Sequence, residues 1–218
     1  MSFNDLEQGL PNGPIHIDTD NDDRLFKDLA QRIAQQTFHI NGNIASIERL
    51  VNLLGTNRDS VEVRNNLHDV TLATRDLIKD STLDLKSLSS INLNDPKSRQ
   101  RRLEQQKLSK DFQKVVAHFQ TIQKASASKQ REFIDKTKAT TVMLQNQVEE
   151  EEIEQQQQLN GQRQAQIEAL DHEIEYNELL IHDRENEIQN IEQGIGELNE
   201  IFRDMGMLVN EQESGIRK

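Results

Sequence analysis

NEIFRDMGMLVNEQESGIRK, residues 199–218, carries apolar side chains at the alternating three- and four-residue spacing of a coiled-coil seam. Leu198, Phe202, Met205 and Val209 lie on the stripe, which puts Gln212 at the next seam position and Ile216 after it. Counting back by the same steps reaches Ile195, Ile191, Ile188, Arg184, Ile181, Asn177, Ile174, Leu170 and Ile167. Twelve of these 15 positions are apolar in a chain that is only 33% hydrophobic, so the segment is built to pair with other helices. Alone, such a helix exposes its stripe, and Gly194 and Gly196 each lower its propensity by about 1 kcal/mol relative to alanine. The expectation is a segment that stays frayed until partner helices bury the seam.

Gln212 breaks the stripe in a particular way. A polar residue at one seam position lowers stability but fixes alignment, because a shifted register buries the amide without a partner at roughly 1–3 kcal/mol. It reads as a register pin. Periodicity alone is equally satisfied by a generic coiled coil with an incidental polar core residue.

Upstream, three more amphipathic patterns follow one another. Phe26, Leu29, Ile33, Ile40, Ile44, Ile47, Val51 and Leu54 share one helical stripe, closed by Gly55 at a C-cap position. TNRD then makes a short connection, with Asp59 or Ser60 placed to cap the next helix. That helix has a thinner stripe of Val63, Leu67, Val70, Leu77 and Leu88, with Thr74 and Ser81 as weaker members. Asp95 followed by Pro96 is a start signal for a third helix, whose stripe runs through Leu108, Phe112, Val115, Phe119 and Ile122. Each helix can bury its face only against the others. The expected fold is therefore all-α: an antiparallel three-helix bundle plus a separate long coiled-coil helix. The division expected is a disordered tail over 1–22, the bundle over 23–136, a flexible acidic and Gln-rich linker over 137–162, and the coiled-coil segment over 163–218.

Composition narrows the function classes. Aromatic residues make up 4% of the chain and charged residues 29%, with mean hydropathy −0.81, which leaves little material for a large enzyme core. Cysteine is absent, so disulfide scaffolds and thiolate metal sites are excluded. His16, His39, His68, His118, His172 and His182 show no ligand spacing, and carboxylate pairs such as Glu173 and Glu175 sit where no fixed acid–base separation is held. No Gly-rich phosphate loop or nucleophile motif is present, so no cofactor, metal or catalytic residue is expected. MSFNDLEQGL lacks a secretory pattern, and no window approaches the roughly 18 apolar residues of a membrane span, so the 218 residues are expected to be soluble.

The net charge of −12 is unevenly spread: residues 149–213 hold 19 Asp or Glu against three Arg, a local −16 that leaves +4 elsewhere. Within the remainder, residues 97–138 carry 12 Lys or Arg against four acids. The basic stretch PKSRQRRLEQQKLSK (96–110) lacks interleaved aromatics, and so reads as a solvated helix face, not a nucleic-acid patch. Its attraction to the acidic segment is a possible means of holding the coiled-coil helix against the bundle.

IQNIEQGIGELNEIFRDMGMLVNEQ (188–212) resembles the SNARE motif of syntaxins, the Q-type class that supplies a glutamine to the central polar layer of a four-helix fusion complex. The resemblance makes Gln212 that glutamine, with Ile188, Ile191, Ile195, Leu198, Phe202, Met205 and Val209 as layers on its N-terminal side and Ile216 as the next layer. LAQRIAQQTFHINGNIASIERLVNLLGTNRDSVEVR (29–64) and RQRRLEQQKLSKDFQKVVAHFQTIQ (99–123) are similar to the first and third helices of the syntaxin N-terminal (Habc) domain. LLIHDRENEIQNIE (179–192) points to the endosomal and vacuolar branch, as does the opening MSFNDLE. The resemblance implies membrane fusion through a parallel complex with two further Q-type helices and one R-type helix. It also implies a Sec1/Munc18-type protein and a tethering complex as partners, at the cytosolic face of an endosomal, prevacuolar or vacuolar membrane. Family members continue with further layers and a C-terminal membrane anchor, so the chain is expected to be cut within the motif. The competing reading is a structural coiled-coil or tethering protein with no fusion role, whose residues 167–216 self-associate.

Overall fold

A computed structural model describes residues 19–91, 98–155 and 161–216, with side chains over 21–91, 99–151 and 164–208. The described residues form α1 (Thr19–Leu53), α2 (Val61–Ser90), α3 (Ser98–Gln155) and α4 (Gly161–Ile216), with no strand among them. All eight residues of the α1 stripe, from Phe26 to Leu54, are buried. The helix stops where expected: Gly55 has φ +73°, a left-handed backbone that glycine adopts without steric penalty. Lys129 of α3 donates to the Val51 carbonyl at 2.9 Å, satisfying one of the acceptors that a helix end leaves open. Ser60 is the N-cap of α2 and accepts from the Val63 N–H at 3.3 Å.

The helices alternate in direction. Arg32 pairs with Asp84, and Ser81 Oγ donates to Gln36 Oε1 at 3.1 Å, so α1 and α2 run antiparallel. Arg101 pairs with Asp23 near the start of α1 and His118 meets Glu48 near its end, so α3 returns parallel to α1. Phe112, Val115, Phe119 and Ile122 of α3 fill the centre together with the stripes of α1 and α2. The start signal at Asp95 and Pro96 lies outside the described residues.

The structure corrects two expected boundaries. Residues 137–155, expected as part of a flexible linker, are helix and continue α3 without a break. The apolar stripe fades there because the buried positions among the described side chains of 137–151 are Thr137 and Thr141, polar residues that a hydrophobic pattern cannot register. Helix α1 also begins at Thr19, so residues 19–22 of the expected tail are its first turn.

Candidate functional site

The coiled-coil helix is not left unpaired: α4 lies along α2 and α3, on the bundle. Arg131 pairs with Glu192, Lys138 with Glu185 at 2.9 Å, and Gln120 donates to Asn199 at 2.7 Å, so α4 runs antiparallel to α3. Toward α2 the order is parallel: Arg75 donates to the Asn190 carbonyl at 2.9 Å, Lys79 pairs with Glu197 at 3.0 Å, and Lys86 with Asp204 at 2.7 Å. The frayed state expected for this segment is replaced by a continuous helix because the bundle itself supplies the neighbours that bury its stripe.

That stripe is the predicted seam. Ile167, Ile188, Ile191, Leu198 and Met205 are buried, Leu198 completely, while Ile195 and Phe202 are half-buried. Leu198 and Met205 join the same apolar core as Phe119 and Ile78, with Phe202 packed against it. Full burial of each such side chain contributes about 1.5–3 kcal/mol. The backbone of α4 continues through Val209, Gln212 and Ile216, whose side chains lie outside the described residues.

Two features of the docked helix escaped sequence reasoning. The first is that the buried face of α2 is broader than its predicted stripe: Ile78 and Leu85, absent from that stripe, share one 3,4 series with Leu67, Thr71, Thr74, Ser81 and Leu88, and Arg75 and Thr82 widen it at the edge, where Arg75 reaches α4. The thin stripe was the signal, since a helix sandwiched between neighbours distributes its apolar residues over a wider arc. The second is a set of close polar fits. A Cβ on Gly194 would stand 2.1 Å from Arg75 Nη2, so this glycine, a propensity defect in the isolated helix, is the notch through which the guanidinium passes. Arg184, the seam's cationic member, is buried, donates to Asp59 Oδ2 at 2.9 Å and stacks over the Phe133 ring at 4.8 Å from its centroid.

Charge complementarity along α4 comes from α2 and the distal part of α3, through Arg75, Lys79, Lys86, Arg131 and Lys138. In the basic stretch 96–110, Arg101 turns instead to Asp23 of α1. For Glu197, burial pushes the carboxyl pKa up, but the Lys79 hydrogen bond and the Lys79 and Arg75 charges outweigh it and leave it below its ordinary value. Glu187 goes the other way: burial raises its pKa above 4.5 and prevails over the attraction of Arg184 and Arg64. It borders a cavity of about 30 Å³ lined also by Arg64, His68, Thr71, Ser126 and Gln130.

The Glu187 shift gives a prediction with a definite sign. A carboxyl whose pKa is raised on docking stabilises the docked form fully below its undocked pKa, and that contribution is lost as pH rises through the raised value. Glu187→Gln is therefore expected to raise the thermal midpoint of α4 undocking at neutral pH, the gain shrinking toward about pH 4. Circular dichroism melts of the two proteins across that range check it; an equal or lower midpoint for the variant at neutral pH would contradict the sign.

Among the described residues no group of three His, Cys, Asp or Glu side chains is placed to hold a metal ion, and no helix is long and apolar enough to cross a membrane. What the geometry presents is an interaction surface. A three-helix bundle carrying, on its own flank, a fourth helix with a heptad seam defines a class of helical assembly proteins whose pairing helix can be held within the chain. Comparison with known proteins names the family. A family model described as "Syntaxin-like protein" matches residues 29–169, and one described as "SNARE domain" matches residues 179–218. Syntaxin pep12 of Schizosaccharomyces pombe is 36% identical over 219 residues, covering 97% of this chain and 77% of the relative. Human Syntaxin-7 is 32% identical over 186 residues, covering 84% of this chain and 71% of the relative. Syntaxin-21 of Arabidopsis thaliana is 33% identical, with 97% and 79% covered. The chain belongs to the syntaxin family, as a Q-type SNARE of its endosomal and vacuolar branch.

Proposed function

We propose that this chain drives membrane fusion by donating α4 to a parallel four-helix complex with two further Q-type helices and one R-type helix, and that the docked form is its resting state. In the complex Gln212 occupies the central polar layer, with Ile188, Ile191, Ile195, Leu198, Phe202, Met205 and Val209 as layers on one side and Ile216 on the other. Residues 23–136 act as the regulatory domain and 163–218 as the SNARE segment. The cytosolic face of an endosomal, prevacuolar or vacuolar membrane is the setting, reached through a C-terminal anchor of the full-length protein, with a Sec1/Munc18-type protein and a tethering complex as further partners. No step requires a catalytic residue.

One observation carries this reading: of the seam residues that partner helices would cover, Leu198 and Met205 join the core of the chain's own bundle, and Ile188 and Ile191 are buried as well. One stripe cannot face two sets of neighbours, so docking in cis and pairing in trans exclude each other, and assembly must wait for α4 to leave. Apolar area leaving water along the seam then supplies the free energy that draws two bilayers together.

Assembly kinetics test both halves. Mixed with candidate Q- and R-type helices, the full chain is expected to form a complex containing one copy of each, and slowly. A fragment of residues 163–218 is expected to assemble at least about tenfold faster, the factor corresponding to about 1.4 kcal/mol of docking. Equal rates for chain and fragment would remove the resting-state claim. Self-association of the fragment with no uptake of partner helices would instead favour a structural coiled coil.

A further inference from the structure

Arg184 occupies a seam position but lies N-terminal to Ile188, the first proposed layer. Its side chain is 2% exposed and that of its partner Asp59 7%. Asp59 belongs to the connection between α1 and α2, whose residues 55–58 are exposed. We propose that this connection is the lock of the docked state: Asp59 holds α4 through the buried pair with Arg184, and opening begins when that pair breaks. The inference rests on the resting-state reading above.

Three features support it. Asp59 is preorganised by its own neighbourhood, accepting from the Gly55 N–H at 2.9 Å and from Arg64 Nη1 at 3.0 Å, so the carboxylate is in place before α4 arrives. Its two partners in the pair are unequal. Without Arg184, Asp59 keeps Arg64 and the Gly55 amide; without Asp59, the buried guanidinium keeps the more distant Glu187 of its own helix, at 3.4 Å, and the Phe133 ring. Removing one partner of a buried pair is far more disruptive than replacing the remaining charge by an apolar side chain of similar size. Undocking returns Arg184 to water and relieves that penalty. The third feature is position. The pair closes the bundle at the N-terminal end of the proposed layers, outside the residues that meet partner helices, so it can be released with the seam intact. A partner acting on the exposed connection could therefore free α4 from the end at which pairing is to start.

The test uses the full chain, whose lack of cysteine allows a donor and an acceptor dye at Leu83→Cys and Met207→Cys, both exposed positions, one on α2 and one on α4. High energy transfer is expected for the otherwise unaltered protein. Asp59→Asn, which keeps an acceptor for the Gly55 amide, is expected to raise the undocked-to-docked ratio at least about tenfold. Adding Arg184→Met to Asp59→Asn is expected to restore docking to within about twofold of the parent. That rescue distinguishes the lock from a damaged turn, which a change on α4 would not repair. Unchanged transfer in Asp59→Asn, or no rescue by Arg184→Met, overturns the lock while leaving the resting state standing. Low transfer in the parent overturns the resting state, and the lock with it.

Discussion

Phe119→Ala is expected to lower the unfolding free energy of the bundle by about 3–5 kcal/mol, the range for removing a large aromatic from a packed core. Phe119 is 1% exposed and belongs to a core with stripe residues from α1, α2 and α3 and with Leu198 and Met205 of α4. An alanine there leaves a cavity that these rigid neighbours fill only partly. A loss of that size corresponds to a fall in thermal midpoint of roughly 10–20 °C. Because the core is continuous with the surface that receives α4, the amides of α4 should lose hydrogen-exchange protection along with those of α1. A midpoint within a few degrees of the parent, or α4 protection untouched while α1 is deprotected, would show that the bundle and the docked helix are not one core.

Leu198→Ala acts on the other side of the same core. Leu198 is completely buried, and leucine truncation at such sites weakens packing by about 2–5 kcal/mol. Here the weakened equilibrium is docking, so α4 protection is expected to fall by a factor of roughly 30 to several thousand while the α1 amides stay protected. The same leucine is a proposed layer, and its truncation should destabilise the assembled complex as well. The variant is therefore expected to open without gaining a more stable complex, whereas Asp59→Asn is expected to open and to pair as tightly as the parent. Unchanged α4 protection in Leu198→Ala would mean that docking does not depend on the seam.

How much of this could be read in advance depended on whether the pattern was local. The α1 stripe, with eight apolar residues at helical spacing closed by glycine, needs only one helix and one buried face, and every member is buried in the structure. The turn chemistry at Gly55 and Ser60 is local too, because a positive φ and an N-cap concern a few neighbouring residues. Broader and polar faces were harder. Ile78 and Leu85 share one 3,4 series of α2 with Thr74 and Ser81, whose polarity hides the stripe, and Gln130 and Thr137 of α3 are buried although polar. Gly194 looked like a defect until Arg75, from another helix, was found in the space its missing side chain leaves.

The candidate site divides along the same line. The seam residues Ile167, Ile188, Ile191, Leu198 and Met205, all buried in the structure, were legible because a 3,4 periodicity states directly that one face of a helix must be covered. Periodicity is silent about what covers it, since the bundle in cis and other helices in trans satisfy the same stripe. The amino-acid order by itself determined four long helices, the apolar faces of α1 and α4, and the break at Gly55. Only the tertiary structure decided that α4 lies in cis between α2 and α3 and that Arg184 meets Asp59, 125 residues away in the chain. The physical reason is that apolar burial follows spacing along one helix, whereas an ion pair requires two groups whose proximity no local pattern encodes.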